Sequence, residues 1–195
     1  MSFKQFIALT KSDLHRYAGS TRSSDAIYHY VFSPGFRYTF WMRLCAYLHA
    51  HRVWRMSLFP FAWLMYYHLQ LRFGIAISYK MNVGRGLYIG HHGGIVTNEN
   101  AVIGNNCNLS HDVTIGVTRR GERKGVPTIG DNVYIGPGAR IIGKVHIGDH
   151  AAVGANCVVT KDVPDYGVVV GIPGKVISLE GSAEYINNTD YDRSS

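Results

Sequence analysis

Two histidines, His91 and His111, stand 20 residues apart. They are the side chains of this sequence best matched to proton transfer near neutral pH, because an imidazole titrates there. A neutral imidazole within reach of a hydroxyl takes its proton as general base. His91 opens the run His91-His92-Gly93-Gly94, and glycines beside a base let a bulky ligand approach the backbone closely. The ordinary reading of a lone histidine is a satisfied or solvated side chain, and it holds for either residue taken singly. The pair gains weight from its spacing. No cysteine or carboxylate stands near it at ligand spacing, so the sequence predicts no metal site.

The spacing has meaning because of a repeat. Ile129, Ile135, Ile141, Ile147, Val153 and Val159 follow one another every sixth residue, and the same beat runs through Ile77, Val83, Ile89 and Ile95, then Ile103, Leu109 and Ile115. A six-residue beat fits neither a helix nor an alternating strand. It is the pattern of a parallel β-helix built from hexapeptides, each one short strand plus a corner. The fourth residue after each aliphatic should also point inward, and Cys107, Val113, Val133, Ala139, Val145, Ala151 and Cys157 are all small or apolar. Three hexads make a triangular coil, coils stack at strand spacing, roughly 4.8 Å, and about 90 residues supply about five coils. His91 and His111 then occupy the same hexad position one coil apart, on one edge.

The beat slips twice. Two extra residues enter between Ile95 and Ile103, and a longer insertion with Arg119, Arg120, Arg123 and Lys124 lies between Ile115 and Ile129. Insertions leave a solenoid as loops and often carry function. This basic loop suits an acidic group on a ligand; its plainer reading is a solvated surface loop.

Residues 1–75 read as helices, with Ser12 and Asp13 as a cap, a helix over 37–55, and a second from about Leu58 to Arg72 ending near Gly74. This segment carries nine Lys and Arg against two Asp and Glu, whereas residues 76–195 hold eleven of each, so the whole formal charge of +7 lies in the helices. They are also rich in aromatics. A basic aromatic surface suits packing in an oligomer or an anionic membrane face; no nucleic-acid motif accompanies it, so nucleic acid is not an expected partner. The apolar run 58–67 is too short to span a bilayer. Three cysteines, two of them at inward hexad positions, argue against a disulfide framework and for a reducing cytoplasm, and the first residues show no signal-peptide pattern. The polar residues 179–195 read as a frayed tail.

The hexad array, the segment His91-His92-Gly93-Gly94-Ile95-Val96, the run Val158-Val159-Thr160-Lys161-Asp162-Val163-Pro164 and the run Val170-Gly171-Ile172-Pro173-Gly174-Lys175-Val176 together resemble the hexapeptide-repeat acyltransferases, over about residues 76–178. The nearest branches are serine acetyltransferases and the serine-acetyltransferase-like O-acetyltransferases of bacterial polysaccharide loci. The resemblance implies a mainly β fold, a left-handed parallel β-helix with a short N-terminal helical segment, a homotrimer with active sites between subunits, and acetyl-CoA as donor. It gives His91 the catalytic position, and places Ala155, Thr160 and Lys161 along coenzyme A with Lys175 near its nucleotide phosphates. The register adds His111 to the catalytic pair, Gly136 is expected on the cofactor side, and His92 with the basic Arg119 and Arg120 is expected toward the acceptor. Three polar positions of the serine enzymes are absent: the sequence has Ala76, Gly90 and Val126 there. Serine's ammonium and carboxylate would lack those partners, which leads the sequence reading to a saccharide hydroxyl as acceptor. Serine itself and a non-catalytic scaffold are the alternatives.

Overall fold

The structure, a computed structural model, describes residues 1–191. Five helices open the chain: α1 (Phe3–Ala18), α2 (Ser23–Phe32), α3 (Pro34–Ala50), α4 (Arg52–Ser57) and α5 (Phe59–Phe73). Fifteen short strands follow: β1 (Ile75–Ala76), β2 (Asn82–Val83), β3 (Tyr88–Ile89), β4 (Ile95–Thr97), β5 (Val102–Ile103), β6 (Asn108–Leu109), β7 (Thr114–Gly116), β8 (Thr128–Ile129), β9 (Tyr134–Ile135), β10 (Arg140–Ile142), β11 (His146–Ile147), β12 (Ala152–Val153), β13 (Val158–Val159), β14 (Val168–Val170) and β15 (Lys175–Ser178).

Successive strands visit three sheets in turn. The first sheet runs β1-β4-β7-β10-β13, the second β2-β5-β8-β11, and the third β3-β6-β9-β12-β14-β15. Every ladder is parallel except β14 with β15. The result is a triangular parallel β-helix of five coils, as the hexad beat predicts. Its axis is filled by the predicted aliphatics: Ile115, Ile135, Ile141, Ile147 and Val153 are fully buried, and so are Cys107, Val113, Val133, Ala139, Ala151 and Cys157 at the second inward position. Cys45, Cys107 and Cys157 are all buried free thiols. Burial pushes those of Cys45 and Cys107 up to about 12, which removes the thiolate that reacts.

The first slip of the beat is not where the sequence places it. Ile89 pairs with Leu109, 20 residues on, but Thr97 pairs with Ile115, only 18 on, like Ile141 with Val159. Ile75 pairs with Ile95, again 20 on. The extra pair of residues therefore enters between Ile89 and Ile95, in the corner that carries His91. Ile95 takes the second inward position, the one filled later by Val113, Ala139 and Cys157, and Thr97 takes the aliphatic one. Both positions are buried in a coil, so an isoleucine fits either, and counting alone chooses wrongly. The second slip is as expected: Ile103 pairs with Ile129, 26 residues on, and the excess forms a hairpin closed by Thr118 and Gly125.

The helices close the open end of the first coil, as a terminal cap must. Tyr38 of α3 and Tyr66 of α5 both donate to the Ile77 carbonyl, and Ile77 N–H donates to Tyr38. Ser12 and Asp13 do not cap a helix. They lie buried inside α1, whose actual cap is Ser2 with Gln5 in a reciprocal capping box. Ser2-Phe3-Lys4-Gln5 carries that signature in the sequence. Asp13 instead makes a buried two-point ion pair with Arg43 of α3. The same guanidinium donates to the Val83 and Gly84 carbonyls, and Asp13 accepts from Leu87 N–H. Removing one partner of such a pair costs about 3–5 kcal/mol, so this clamp fixes the helices to the coil.

The C-terminal segment is not frayed over its described part. Ser182 is buried and donates to the Asn132 carbonyl, Tyr185 stacks on Tyr134 with centroids 4.2 Å apart, and Asn187 O accepts from Arg16. Residues 192–195 of that expected tail lie outside the described residues. A polar composition conceals this docking because its bonds are mostly to backbone carbonyls, which any residue supplies.

Candidate active site

The site begins at the widened corner between β3 and β4. Its backbone is held from behind. The Tyr17 hydroxyl of α1 accepts from Ile89 N–H and donates to Ile89 C=O, both at 3.0 Å. Gly35 of α3 lies so close that a Cβ there would stand 2.1 Å from Ile89 O. Arg16, buried in α1, donates to Gly86 O, Asn108 Oδ1 and Asn187 O. These residues set where the corner leaves the coil. The sequence reading missed them, since nothing in a helical pattern shows which polar residues turn toward a neighbouring coil.

From this base His91 and His92 project into solvent. The His91 and His111 rings meet edge to face, centroids 6.1 Å apart, so the structure brings the pair together. His92 turns the other way, its ring 5.4 Å from that of Phe73 at the end of α5. Gly93 and Gly94 explain themselves by conformation. Gly94 has φ +68°, and its counterparts in the following coils, Asp112, Gly138 and Asn156, have φ +56°, +73° and +55°. The corner needs a left-handed residue in every coil, which glycine, asparagine and aspartate supply most readily. Gly93, at φ +111°, has no neighbour within 4 Å of where a Cβ would be. Backbone there is open to a ligand.

His111 is exposed, and the residue after it carries charge. Asp112 Oδ2 pairs with Arg140 Nη2 at 2.9 Å, and its carbonyl accepts from the same guanidinium. An acid directly after His111 in the chain is thus tied to a base of the next coil, a pairing that the coil register creates.

The register puts Ala155 on the same edge as His91 and His111, because Ile89, Leu109, Ile135 and Val153 pair in sequence across the third sheet. Ala155 is exposed there. Gly136, on that edge too, is buried, and a Cβ would meet Val153 O at 2.9 Å; it admits the next coil. Lys175 begins β15 and lies exposed at the last coil, its neighbour Gly174 donating to Val158 O. Thr160 and Lys161 fall on a different edge, after the first sheet, with the hairpin that holds Arg119 and Arg120. That hairpin is pinned by Arg123, whose Nη1 lies 2.8 Å from Asp162 Oδ1. This leaves Arg119 and Arg120 exposed. One chain therefore spreads the candidate groups over two of its three edges. Ala76, one of the three replaced polar positions, sits half-buried in β1 opposite Val96. No group of three or more potential metal ligands occurs among the described residues.

The family described as bacterial transferase hexapeptide (six repeats) matches residues 127–161, which span β8 to β13. With the coils and the helical cap, that match places the chain in the hexapeptide-repeat transferase family. Within it the similarity runs to serine acetyltransferases. The Synechococcus elongatus serine acetyltransferase is 36% identical over 132 residues, 68% of this chain and 54% of that protein. The soybean serine acetyltransferase complexed with serine superposes with a TM-score of 0.71 at 33% identity, over 89% of this chain and 70% of that one. A serine acetyltransferase in complex with CoA superposes at 0.70 with 27% identity, over 90% of this chain and 71% of that one. The chain spans about half the length of the curated relatives it matches.

These relatives overturn the saccharide acceptor that the sequence reading favoured, and with it the polysaccharide branch. The inference from Ala76, Gly90 and Val126 treated three missing side chains as a missing acceptor. Three absent side chains leave open what else the corner offers: the backbone at Gly93 is open, with no atom within 4 Å of where a Cβ would be.

Proposed function

We propose that this chain is an acetyl-CoA-dependent serine O-acetyltransferase, of the kind that supplies O-acetylserine for cysteine synthesis. The observation that supports it most is the exposed His91–His111 pair on a widened corner, in a chain whose fold and sequence are similar to serine acetyltransferases seen with serine and with CoA. His91 takes the proton from the serine hydroxyl. The oxygen attacks the thioester carbonyl, the C–O bond forms, and a backbone N–H stabilises the tetrahedral oxyanion. The C–S bond then breaks, and the thiolate recovers the proton from the His91 imidazolium. His111, in edge contact with His91, limits its rotation.

In this reading residues 76–178 form a left-handed β-helix catalytic unit, residues 1–75 its helical cap, and 179–195 a C-terminal segment. A homotrimer resolves the division of groups between edges, since one subunit's His91 edge then faces its neighbour's Thr160 and Lys161. Small Ala155 leaves room for the pantetheine arm along the His91 edge. Thr160, Lys161 and Lys175 offer donors to the nucleotide end, and Arg119 and Arg120 offer further positive charge at the subunit boundary.

The test is release of free coenzyme thiol from acetyl-CoA, followed with a thiol-reactive dye. Release that saturates with serine, with O-acetylserine as product, is expected. Coenzyme binding without serine-dependent release would remove serine as the acceptor, and absence of coenzyme binding would remove the enzyme.

A further inference from the structure

The helices contain a surface that the acyl chemistry does not use. Helix α5 buries Ala62, Tyr66, Leu69 and Phe73 against its own fold. Its opposite face is apolar apart from the exposed His68 between Leu64 and Leu71: Phe61 is 76% exposed, Leu64 62% and Leu71 69%. These three recur at helical spacing, so they form one stripe. Helix α4, directly before it in the chain, also exposes large apolar side chains, Val53 at 72% and Met56 at 80%. Trp63 and Tyr67 stack flat on each other beside the stripe, centroids 5.3 Å apart and interplanar angle 8°. A soluble surface rarely leaves so many large apolar side chains together in water.

Charge indicates what covers it. Between Asp25 and Glu99 the sequence contains no Asp or Glu, while Arg52, Arg55 and Arg72, at the ends of α4 and α5, are exposed. We infer that the outer face of α4 and α5 docks on an anionic lipid surface, with the helices lying in the interface. Apolar side chains enter the acyl boundary, Trp63 and Tyr67 sit at headgroup level, and the arginines meet lipid phosphates. Penetration stops there. No described helix is long and apolar enough to cross a membrane. A second copy of the same face is a poorer partner, because a two-fold pairing would set these arginines against each other. This inference does not depend on the acceptor of the acyl reaction.

Vesicle co-sedimentation of the full chain tests it, comparing pure phosphatidylcholine with phosphatidylcholine containing phosphatidylglycerol. The chain should pellet with the phosphatidylglycerol vesicles only, and less so at high salt. Arg52→Gln with Arg55→Gln should weaken partition about fivefold per arginine. Phe61→Glu with Leu64→Glu should abolish it while circular dichroism and sedimentation mass stay those of the wild type. Equal pelleting with both vesicles, or with neither, overturns the inference. So does a fall in sedimentation mass in the Phe61→Glu, Leu64→Glu variant, which would assign the face to another copy of the chain.

Discussion

The corner that follows the third sheet occurs in coil after coil, and its first occurrence differs from the rest. In the later coils it is tight. Leu109 to Val113 turns with four residue steps through Ser110, His111 and Asp112, and Ile135 to Ala139 and Val153 to Cys157 do the same. Between Ile89 and Ile95 the turn takes six. Tight corners are spent on stacking: Asp112, Gly138 and Asn156 share one left-handed conformation, and Gly136 is buried against the next coil. The wide corner keeps that conformation at Gly94 and adds two residues after His91, whose ring still meets that of His111 on the next corner. The departure from the repeat is local, and the unaltered coils on one side and α1 with α3 on the other hold it in place.

That contrast can be broken deliberately. Deleting His92 and Gly93 would give the first corner the length of the others. The expected result is a folded chain with unchanged circular dichroism that has lost acetyl transfer by at least about 100-fold, since it loses a positioned base. Retained turnover would mean that the surplus residues are ornamental.

A smaller effect should distinguish stacking glycines from the open one. At Gly104 a Cβ would stand 2.3 Å from Asp131 Oδ1 and 2.5 Å from Gly130 O, so Gly104→Ala should destabilise by about 1–3 kcal/mol through overpacking. Gly93→Ala meets no atom, and only its positive φ opposes it, at about 1 kcal/mol. Denaturant melts of the two variants should rank in that order, and the reverse order would contradict the packing described for the coils.

The smallest effect concerns the hairpin. The backbone N–H of His146 and then Arg123 hold the Asp162 carboxyl below its ordinary value of 3.8. A carboxyl with a depressed folded pKa contributes stability above its unfolded value and loses it as pH falls through the folded one. Docking of the hairpin should therefore be intact at neutral pH and weaken only below about pH 4. Because both side chains of the Arg123–Asp162 pair are exposed, Arg123→Ala should cost at most about 0.5 kcal/mol. Amide exchange across 117–127 would register the loosening; a large global destabilisation would contradict an exposed pair.

Much of the β-helix was legible because its repeat is strict. Two inward positions per hexad, each aliphatic or small, define coil count, sheet order and which residues share an edge. The same strictness hid the first slip, since Ile95 satisfies either inward position and only pairing with Ile75 decides between them. Corner chemistry was legible too, though it went unread: Gly104-Asn105-Asn106, Gly130-Asp131-Asn132 and Gly148-Asp149-His150 recur in phase. Their side chains form a ladder in which Asn105, Asp131 and Asp149 each accept the backbone N–H one coil earlier. The helical cap was legible only as helices. Its polar contacts, Tyr17 to Ile89 and Asp13 with Arg43, join elements 30 or more residues apart and leave no local pattern. The acceptor was misread for a related reason: absent side chains at three positions say nothing about groups that the coil register brings from elsewhere.

The central claim is that the widened corner presents His91 as the base of an acyl transfer. Turnover of acetyl-CoA with serine, measured for His91→Ala beside the wild type with acetyl-CoA affinity from calorimetry, tests it most directly. The account predicts a loss of about 10²–10⁴ in kcat with coenzyme binding retained. A variant that keeps wild-type kcat would contradict it.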